Sequence, residues 1–121
     1  MASYIEGSFK KKFSFADRKK ESKRIKEKYP DRIPIIVEHS KSSSDFPTID
    51  KQKYLVPNDL SVGQFSYVIR KRIKLPSEKA MFLMINNKMP PTNDYISNVY
   101  EKDSDEDGFL YVSIAGESTF G

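Results

Sequence analysis

Few side chains in the 121-residue sequence have the types and spacing that chemistry requires. Asp103, Asp105 and Asp107 alternate like calcium ligands, but Gly108 and the absence of a closing glutamate break the pattern of a calcium loop. His39 is the only histidine, and there is no cysteine to act as a nucleophile or metal ligand. The residues therefore predict no catalytic residue, no metal site and no cofactor. We expect the acidic run to be a solvated loop and His39 to be an exposed loop residue.

The chemical group that remains is the carboxylate of the terminal residue, Gly121, at the end of a small and mostly polar segment. Glycine has no side chain to clash in a narrow active site and has the widest backbone freedom. By itself a terminal glycine is weak evidence, because a chain can end in glycine without a functional reason.

Composition limits the protein to one ordinary domain with a highly charged surface. Hydrophobic residues make up 37% and charged residues 31%, with a formal net charge of +4. No apolar run is long enough to span a membrane, and the first residues do not resemble a secretory signal. Basic residues crowd the start, which indicates either a solvated helix face or a surface for an acidic partner.

Two helices have clear start signals. Ser14, followed by Asp17, predicts a helix to Lys28 on the surface of another element, with a short helical turn before it over residues 7–12. Ser61 and Gln64 form a capping box, and the helix that follows should end near Leu75. Its apolar residues recur at helical spacing: Val62, Phe65, Val68, Ile69 and Ile73. A third, short helix is predicted from Thr92 as cap to Tyr100.

Four apolar runs predict strands, over residues 32–37, 51–56, 80–85 and 109–114. The first two should pair antiparallel, and Pro34 requires one side of its strand to be free or bulged. The order of elements predicts an α+β, ubiquitin-like β-grasp with a four-stranded mixed sheet, a long crossing helix, a short helix and an N-terminal helical arm. We expect the arm to be residues 1–28, the core 29–114 and a flexible conjugation tail 115–121.

Several motifs follow one another in a fixed order between residues 9 and 121. They are Tyr29-Pro30-Asp31-Arg32-Ile33-Pro34-Ile35-Ile36-Val37-Glu38, Lys53-Tyr54-Leu55-Val56-Pro57, Leu60-Ser61-Val62-Gly63-Gln64-Phe65, Ile69-Arg70-Lys71-Arg72-Ile73, Asn86-Asn87, Pro90-Pro91-Thr92, Glu106-Asp107-Gly108-Phe109-Leu110-Tyr111 and Glu117-Ser118-Thr119-Phe120-Gly121. Together they resemble the autophagy ubiquitin-like modifier family, the GABARAP and light-chain-3 group.

The resemblance implies a non-enzyme that is conjugated through Gly121 to phosphatidylethanolamine on autophagosome membranes and acts in autophagosome formation. Separate activating and conjugating enzymes would carry the catalytic cysteines, and a processing cysteine protease would trim and recycle the protein. Membrane-bound copies would dock autophagy receptors and adaptors that carry an aromatic-x-x-aliphatic motif. The implied locations are the cytoplasm, the autophagosome membrane and, by delivery, the lumen of the vacuole or lysosome.

The docking surface implied by the family is the second strand. If it is a sheet edge, a peptide can add to it through main-chain hydrogen bonds. The family pattern implies one pocket around Glu21, Ile25, Pro34, Lys53, Leu55 and Phe109, and a second around Tyr54, Val56, Pro57, Leu60, Phe65, Val68 and Ile69. Acidic residues beside the motif would be attracted by Arg32, Lys51, Lys53 and Arg72. Alternatively, edge lysines only block aggregation, and Phe65, Val68 and Ile69 are core residues.

Two other functions remain open. One keeps the fold without conjugation, as a soluble adaptor in vesicle trafficking or cytoskeleton binding. The other uses the basic and aromatic arm, residues 9–15, to bind tubulin, a membrane surface or nucleic acid, of which nucleic acid is the least favoured.

Overall fold

The computed structural model describes residues 4–40 and 47–116, which form four helices and one four-stranded sheet. In chain order the elements are α1 (Ser8–Lys12), α2 (Phe15–Lys28), β1 (Arg32–His39), β2 (Lys53–Pro57), α3 (Val62–Arg72), β3 (Met81–Met84), α4 (Ile96–Asp103) and β4 (Leu110–Gly116). None of the helices within these residues is long and apolar enough to cross a membrane.

The strands are arranged in the order β2-β1-β4-β3, with the first and last strands of the chain adjacent at the centre. β1 pairs antiparallel with β2 and parallel with β4, and β3 pairs antiparallel with β4. The sheet is therefore mixed, and the predicted ubiquitin-like α+β fold is confirmed.

The larger core lies between the sheet and α3. Ser61 Oγ accepts a hydrogen bond from the Gln64 amide at 3.1 Å, and Gln64 Oε1 accepts one from the Ser61 amide at 2.9 Å, which completes the predicted capping box. Phe65 and Ile69 are fully buried against alternate residues of the central strand, Ile33, Ile35 and Val37. The helical spacing of apolar residues thus identified this face correctly except at Val68, which is 40% exposed.

The helical arm, α1 and α2, covers the opposite face of the sheet. Phe9 and Ile25 form a smaller core with Ile36 and Phe109, and the rings of Phe9 and Phe109 meet edge-on at 5.4 Å. The predicted cap of α2 is present, because Ser14 Oγ accepts a bond from the Asp17 amide at 3.1 Å.

Both central strands extend further than predicted. β1 continues to His39, which is 6% exposed, so the expectation of an exposed loop histidine is wrong. The reason is additional pairing: the Glu6 amide donates to His39 O at 2.7 Å, and the His39 amide donates to Tyr4 O at 2.6 Å.

The last strand, β4, is also longer than predicted. It runs to Gly116, which pairs with Met81, and Ala115 is buried. Residues 115 and 116 therefore belong to the sheet and not to a flexible tail.

The start of the third predicted helix is also wrong. α4 begins at Ile96 with Tyr95 as its N-cap, and Thr92 does not cap it. Instead, the carbonyl groups of Thr92 and Asp94 accept hydrogen bonds from Gly63 and Val62, both at 2.9 Å. These residues stay non-helical because their carbonyls satisfy unpaired amides at the start of α3.

The acidic run before β4 is solvated only in part: Glu106 is exposed, but the expectation is wrong for Asp107. Asp107 is completely buried, and its carboxylate accepts bonds from Arg18 at 2.6 Å, from the Tyr111 hydroxyl at 2.5 Å and from the Phe109 amide at 2.9 Å. Ser22 Oγ donates to the Asp107 carbonyl. We call Arg18, Asp107 and Tyr111 the Asp107 network. It ties α2 to β4. No group of acidic, histidine or cysteine residues in the described ranges is arranged to hold a metal ion.

Candidate functional site

The predicted docking strand, β2, lies at an edge of the sheet. Leu55 stands opposite Pro34 of β1 in the register. Proline has no amide hydrogen to donate, and the Leu55 carbonyl accepts a bond from the Arg32 guanidinium at 3.2 Å. The Val37 amide donates to Gln52 O. By alternation, the amides of Ile33 and Ile35 also face β2, and the nitrogen of Pro34 faces away from it. The main-chain groups of Leu55 therefore point to the outer side of β2, where an added peptide strand would pair.

All six residues of the first predicted pocket lie on the arm face of the sheet. Leu55 is half-buried and packs against the smaller core, in which Ile25 is 1% and Phe109 0% exposed. Pro34 is buried beside them. The apolar floor is therefore closed by packing, and Leu55 is the member that an incoming side chain can reach.

An ion pair between Glu21 of α2 and Lys53 of β2 spans the opening above this floor. The Lys53 ammonium lies 2.7 Å from Glu21 Oε2, and Arg24 binds both oxygens of the same carboxylate at 3.0 Å. The hydrogen bonds from Arg24 and then Lys53 lower the pKa of Glu21 to about 2. At neutral pH the pair is fully charged, so a side chain that enters between α2 and β2 must displace Lys53.

A surface cavity of about 380 Å³ adjoins this ion pair and includes residues that sequence reasoning missed. Phe9 and Phe13 line it, with ring centroids 4.9 Å apart, and Phe13 is 38% exposed. Asp17 and Arg18 lie on its α2 side. The aromatic residues at 9 and 13 were visible as a helical i, i+4 pair, but only the docked arm places them next to Lys53.

The second predicted pocket, between β2 and α3, is mostly core. Tyr54, Val56, Phe65 and Ile69 are at most 5% exposed, and the rings of Tyr54 and Phe65 meet edge-on at 5.7 Å. The accessible members are the rest of the predicted set: Pro57, Leu60 and Val68. A ligand can contact these three without repacking the core, whereas contact with the buried four requires the pocket to open.

The predicted cations around the edge are already engaged. Arg72 binds both oxygens of Asp50 at 3.1 and 3.2 Å, and the Lys51 ammonium lies 4.6 Å from the centre of the Tyr54 ring. Lys53 and Arg32 make the contacts given above. Because exposed ion pairs contribute only about 0–1 kcal/mol, an acidic ligand can exchange with Asp50 or Glu21 at small cost.

The other predicted site, Gly121, lies outside the described residues. The last described residue is Gly116, at the end of β4 and opposite Met81 of β3. Five residues separate the sheet from the terminal carboxylate, and covalent geometry limits their reach to about 18 Å.

Comparison with known proteins identifies relatives over almost the whole chain. A family model described as "Autophagy protein Atg8 ubiquitin like" matches residues 17–121. Autophagy-related protein 8e of Arabidopsis thaliana is 60% identical over 113 residues, which cover 93% of this chain and 92% of the relative. Autophagy-related protein 8 of Schizosaccharomyces pombe is 58% identical over 117 residues, which cover 97% and 96%.

A solved structure gives the same result for the fold. The crystal structure of Trypanosoma brucei ATG8 superposes with a TM-score of 0.88 at 41% sequence identity, covering 96% of this chain and 99% of that one. The matched length includes the helical arm as well as the sheet and α3.

Proposed function

Since the chain belongs to the Atg8 family of ubiquitin-like autophagy proteins, we propose that its Gly121 carboxylate is conjugated to the amine of phosphatidylethanolamine on autophagosome membranes. The observation that carries the proposal is the extent of the family match, which runs to residue 121 and so includes the terminal glycine. The protein then acts as a modifier and scaffold, and the catalysis belongs to its partners.

The chemistry requires activation of the carboxylate. An activating enzyme uses ATP to convert it to an acyl adenylate, with release of pyrophosphate. The thiol of that enzyme displaces AMP to form a thioester, and the thiol of the conjugating enzyme then takes the acyl group by thioester exchange. The lipid amine then displaces the thiolate and forms the amide. Because the chain contains no cysteine, both thiols must come from the activating and conjugating enzymes, and the processing protease supplies its own. The protein moves in this way from the cytoplasm to the autophagosome membrane and, by delivery, to the vacuole or lysosome.

Intact-mass measurement of the membrane-bound protein tests conjugation. We expect a mass increase equal to one phosphatidylethanolamine less one water, and we expect the Gly121→Ala variant to lose the adduct because a side chain obstructs the narrow active sites. Circular dichroism of the variant controls for folding. An adduct of unchanged abundance on the alanine variant, or no adduct on the native protein, contradicts the proposal. The second result favours an unconjugated adaptor in vesicle trafficking or cytoskeleton binding.

The same protein also binds receptor peptides at β2. The supporting geometry is an edge strand with Leu55 above an apolar floor and cations on both sides. The peptide adds as a strand, its aromatic side chain enters near Leu55, Glu21 and Lys53, and its aliphatic side chain lies near Pro57, Leu60 and Val68. Acidic residues of the receptor pair with the cations that Glu21 and Asp50 release.

Titration calorimetry with an acidic peptide that carries an aromatic-x-x-aliphatic motif tests the docking. Leu55→Ala removes accessible apolar area at the pocket, so we expect Kd to rise about tenfold, equivalent to about 1.4 kcal/mol. Met89→Ala is the matched control, because Met89 is 60% exposed and lies between β3 and α4. Equal affinities of the two variants contradict the assignment of β2. Tyr54 is unsuitable for this test because it is a core residue.

A further inference from the structure

A second cluster of cations lies at the C-terminal end of α3 and in the segment that leads to β3. Arg70, Lys71, Lys74 and Lys79 line a surface cavity of about 680 Å³, and we call these four residues the basic cavity. None of the four is in an ion pair within residues 4–40 and 47–116, although Arg72 between them is paired with Asp50. The one acidic residue in this segment is Glu78, so the cavity carries excess positive charge.

The backbone at Lys74 is an independent sign that this charge has a role. The Leu75 amide donates to Arg70 O at 3.1 Å and the Lys74 amide to Lys71 O at 3.2 Å, which together form a Schellman motif. Lys74 is its left-handed residue, with φ of 56°. Glycine is favoured at that position, because the Cβ atom of any other residue crowds the backbone there. The sequence thus keeps a lysine where the fold by itself favours glycine.

The cavity also contains apolar groups. Tyr67 is 60% exposed, its ring lies 5.5 Å from the Lys71 ammonium, and Leu75 is half-buried beside it. Tyrosine and lysine side by side suit the boundary between lipid headgroups and acyl chains better than they suit a soluble anion.

The sheet topology places this cavity near the point from which the chain continues to Gly121. Gly116 is the partner of Met81, and Lys79 precedes Met81 by two residues. Their Cα atoms therefore lie within about 13 Å of each other. A lipid amide at Gly121 must lie within about 18 Å of Gly116. Coupling to a membrane therefore keeps the basic cavity within reach of the surface of the same membrane.

We propose that the basic cavity binds anionic phospholipid headgroups of the membrane that carries the conjugated protein. This inference rests on the proposed function. It adds an orientation of the domain on the membrane, in which the C-terminal end of α3 faces the bilayer and the start of β1 faces away from it. Tethering raises the local lipid concentration, so contacts that are weak for the unconjugated protein become effective. Anionic headgroups attract each nearby lysine or arginine enough to change the contact equilibrium about fivefold.

The contact can be measured without the conjugating enzymes. Because the sequence has no cysteine, the Gly121→Cys variant carries one thiol, which couples to a maleimide-bearing lipid in vesicles. Vesicles of phosphatidylcholine are compared with vesicles that also contain phosphatidylserine. Lysine acetylation by an active ester, read by peptide mass spectrometry, reports which lysines are covered. Lys28 and Lys88 serve as internal controls, since they are exposed and lie at the opposite end of the sheet.

We expect Lys71, Lys74 and Lys79 to be acetylated several-fold more slowly on the anionic vesicles, with the rate restored by high salt, and Lys28 and Lys88 to be unaffected. In the same coupled protein, Lys74→Gly should weaken the protection of Lys71 and Lys79 about fivefold while the domain stays folded, and Lys88→Gln should not. Equal acetylation on both vesicles overturns the proposal. The proposal is also overturned if a soluble oligonucleotide protects these lysines from acetylation and vesicles do not. That result would assign the surface to nucleic acid. Absence of a lipid adduct on Gly121 in cells overturns the proposed function instead, so the two failures are distinguishable.

Discussion

The two faces of the sheet are covered in different ways. On one face α3 buries a continuous apolar surface, with Phe65 and Ile69 fully enclosed. On the other face the helical arm has only a four-residue apolar core and is held largely by buried polar groups. One of these groups is the Asp107 network. The other is the Glu38 carboxylate, which accepts hydrogen bonds at the start of α1 from the Gly7 amide at 3.2 Å and the Phe9 amide at 2.9 Å.

The difference predicts different responses to damage. Apolar burial is additive and non-directional, so loss of a core side chain lowers the stability of the whole domain. A buried ion pair depends on the exact placement of two charges, so removal of one leaves the other without compensation. The α3 face should therefore unfold with the domain, and the arm should be able to detach before it.

The largest effect should come from the α3 face. Phe65→Ala removes a ring that is 0% exposed and in edge contact with Tyr54, and we expect a loss of about 3–5 kcal/mol in the free energy of unfolding. Val68→Ala on the same helix is the control, with a loss below about 1 kcal/mol because Val68 is 40% exposed. Urea unfolding measures both values, and similar losses would contradict the assignment of the core to Phe65.

The apolar face is also the part of the fold that sequence predicts best. The period of Val62, Phe65 and Ile69 and the Ser61–Gln64 cap depend on neighbours along the chain, so they can be seen without tertiary structure. The arm is different. Asp107 finds Arg18 at a separation of 89 residues, and nothing in the sequence around either residue indicates the partner. Charged residues were therefore interpreted as solvated when two of them are buried.

A smaller and more local effect should follow from loss of the Asp107 carboxylate. Burial lowers the pKa of Arg18, but the hydrogen bonds to Tyr111 and Asp107 outweigh it and the net shift is upward, so Arg18 stays charged. Asp107→Asn leaves that charge buried, and we expect a loss of up to about 3 kcal/mol, limited by the cost of detaching the arm. Hydrogen exchange should accelerate in α1 and α2 much more than in α3.

The control for this variant is Asp59→Asn, an exposed acid between β2 and α3, which should leave exchange unchanged. Equal acceleration in α2 and α3 of the Asp107 variant would show that the arm and the core unfold as one unit. The comparison between the two faces would then be wrong.

The residues of the candidate site also differ in how well the sequence predicts their positions and burial. The edge position of β2 and the alternation of Leu55 and Tyr54 were predictable from strand period and order. The burial of Tyr54, which belongs to the second pocket, was not predictable, since the family pattern identifies residues and not their exposure. The burial of Phe65 was one of the two alternatives that its helical spacing left open. Phe9 and Phe13 were missed as neighbours of Lys53 because only the docked arm brings them there.

The smallest effect should come from the exposed ion pairs of the arm face. The pKa of Glu21 is lowered from 4.5 to about 2, chiefly by Arg24 and then by Lys53. A lowered pKa in the folded state means that the ionised carboxylate stabilises the fold above pH 4.5 and that this contribution disappears as the pH falls toward 2. Because Glu21 and its partners are partly exposed, Glu21→Gln should cost less than about 1 kcal/mol at neutral pH. The difference in unfolding free energy between the native protein and Glu21→Gln should therefore shrink as the pH falls from 4.5 toward 2. Glu27→Gln, at an exposed position of the same helix, is the control and should show no such trend. A difference that persists at pH 2 would mean that Glu21 contributes through packing and not through its charge.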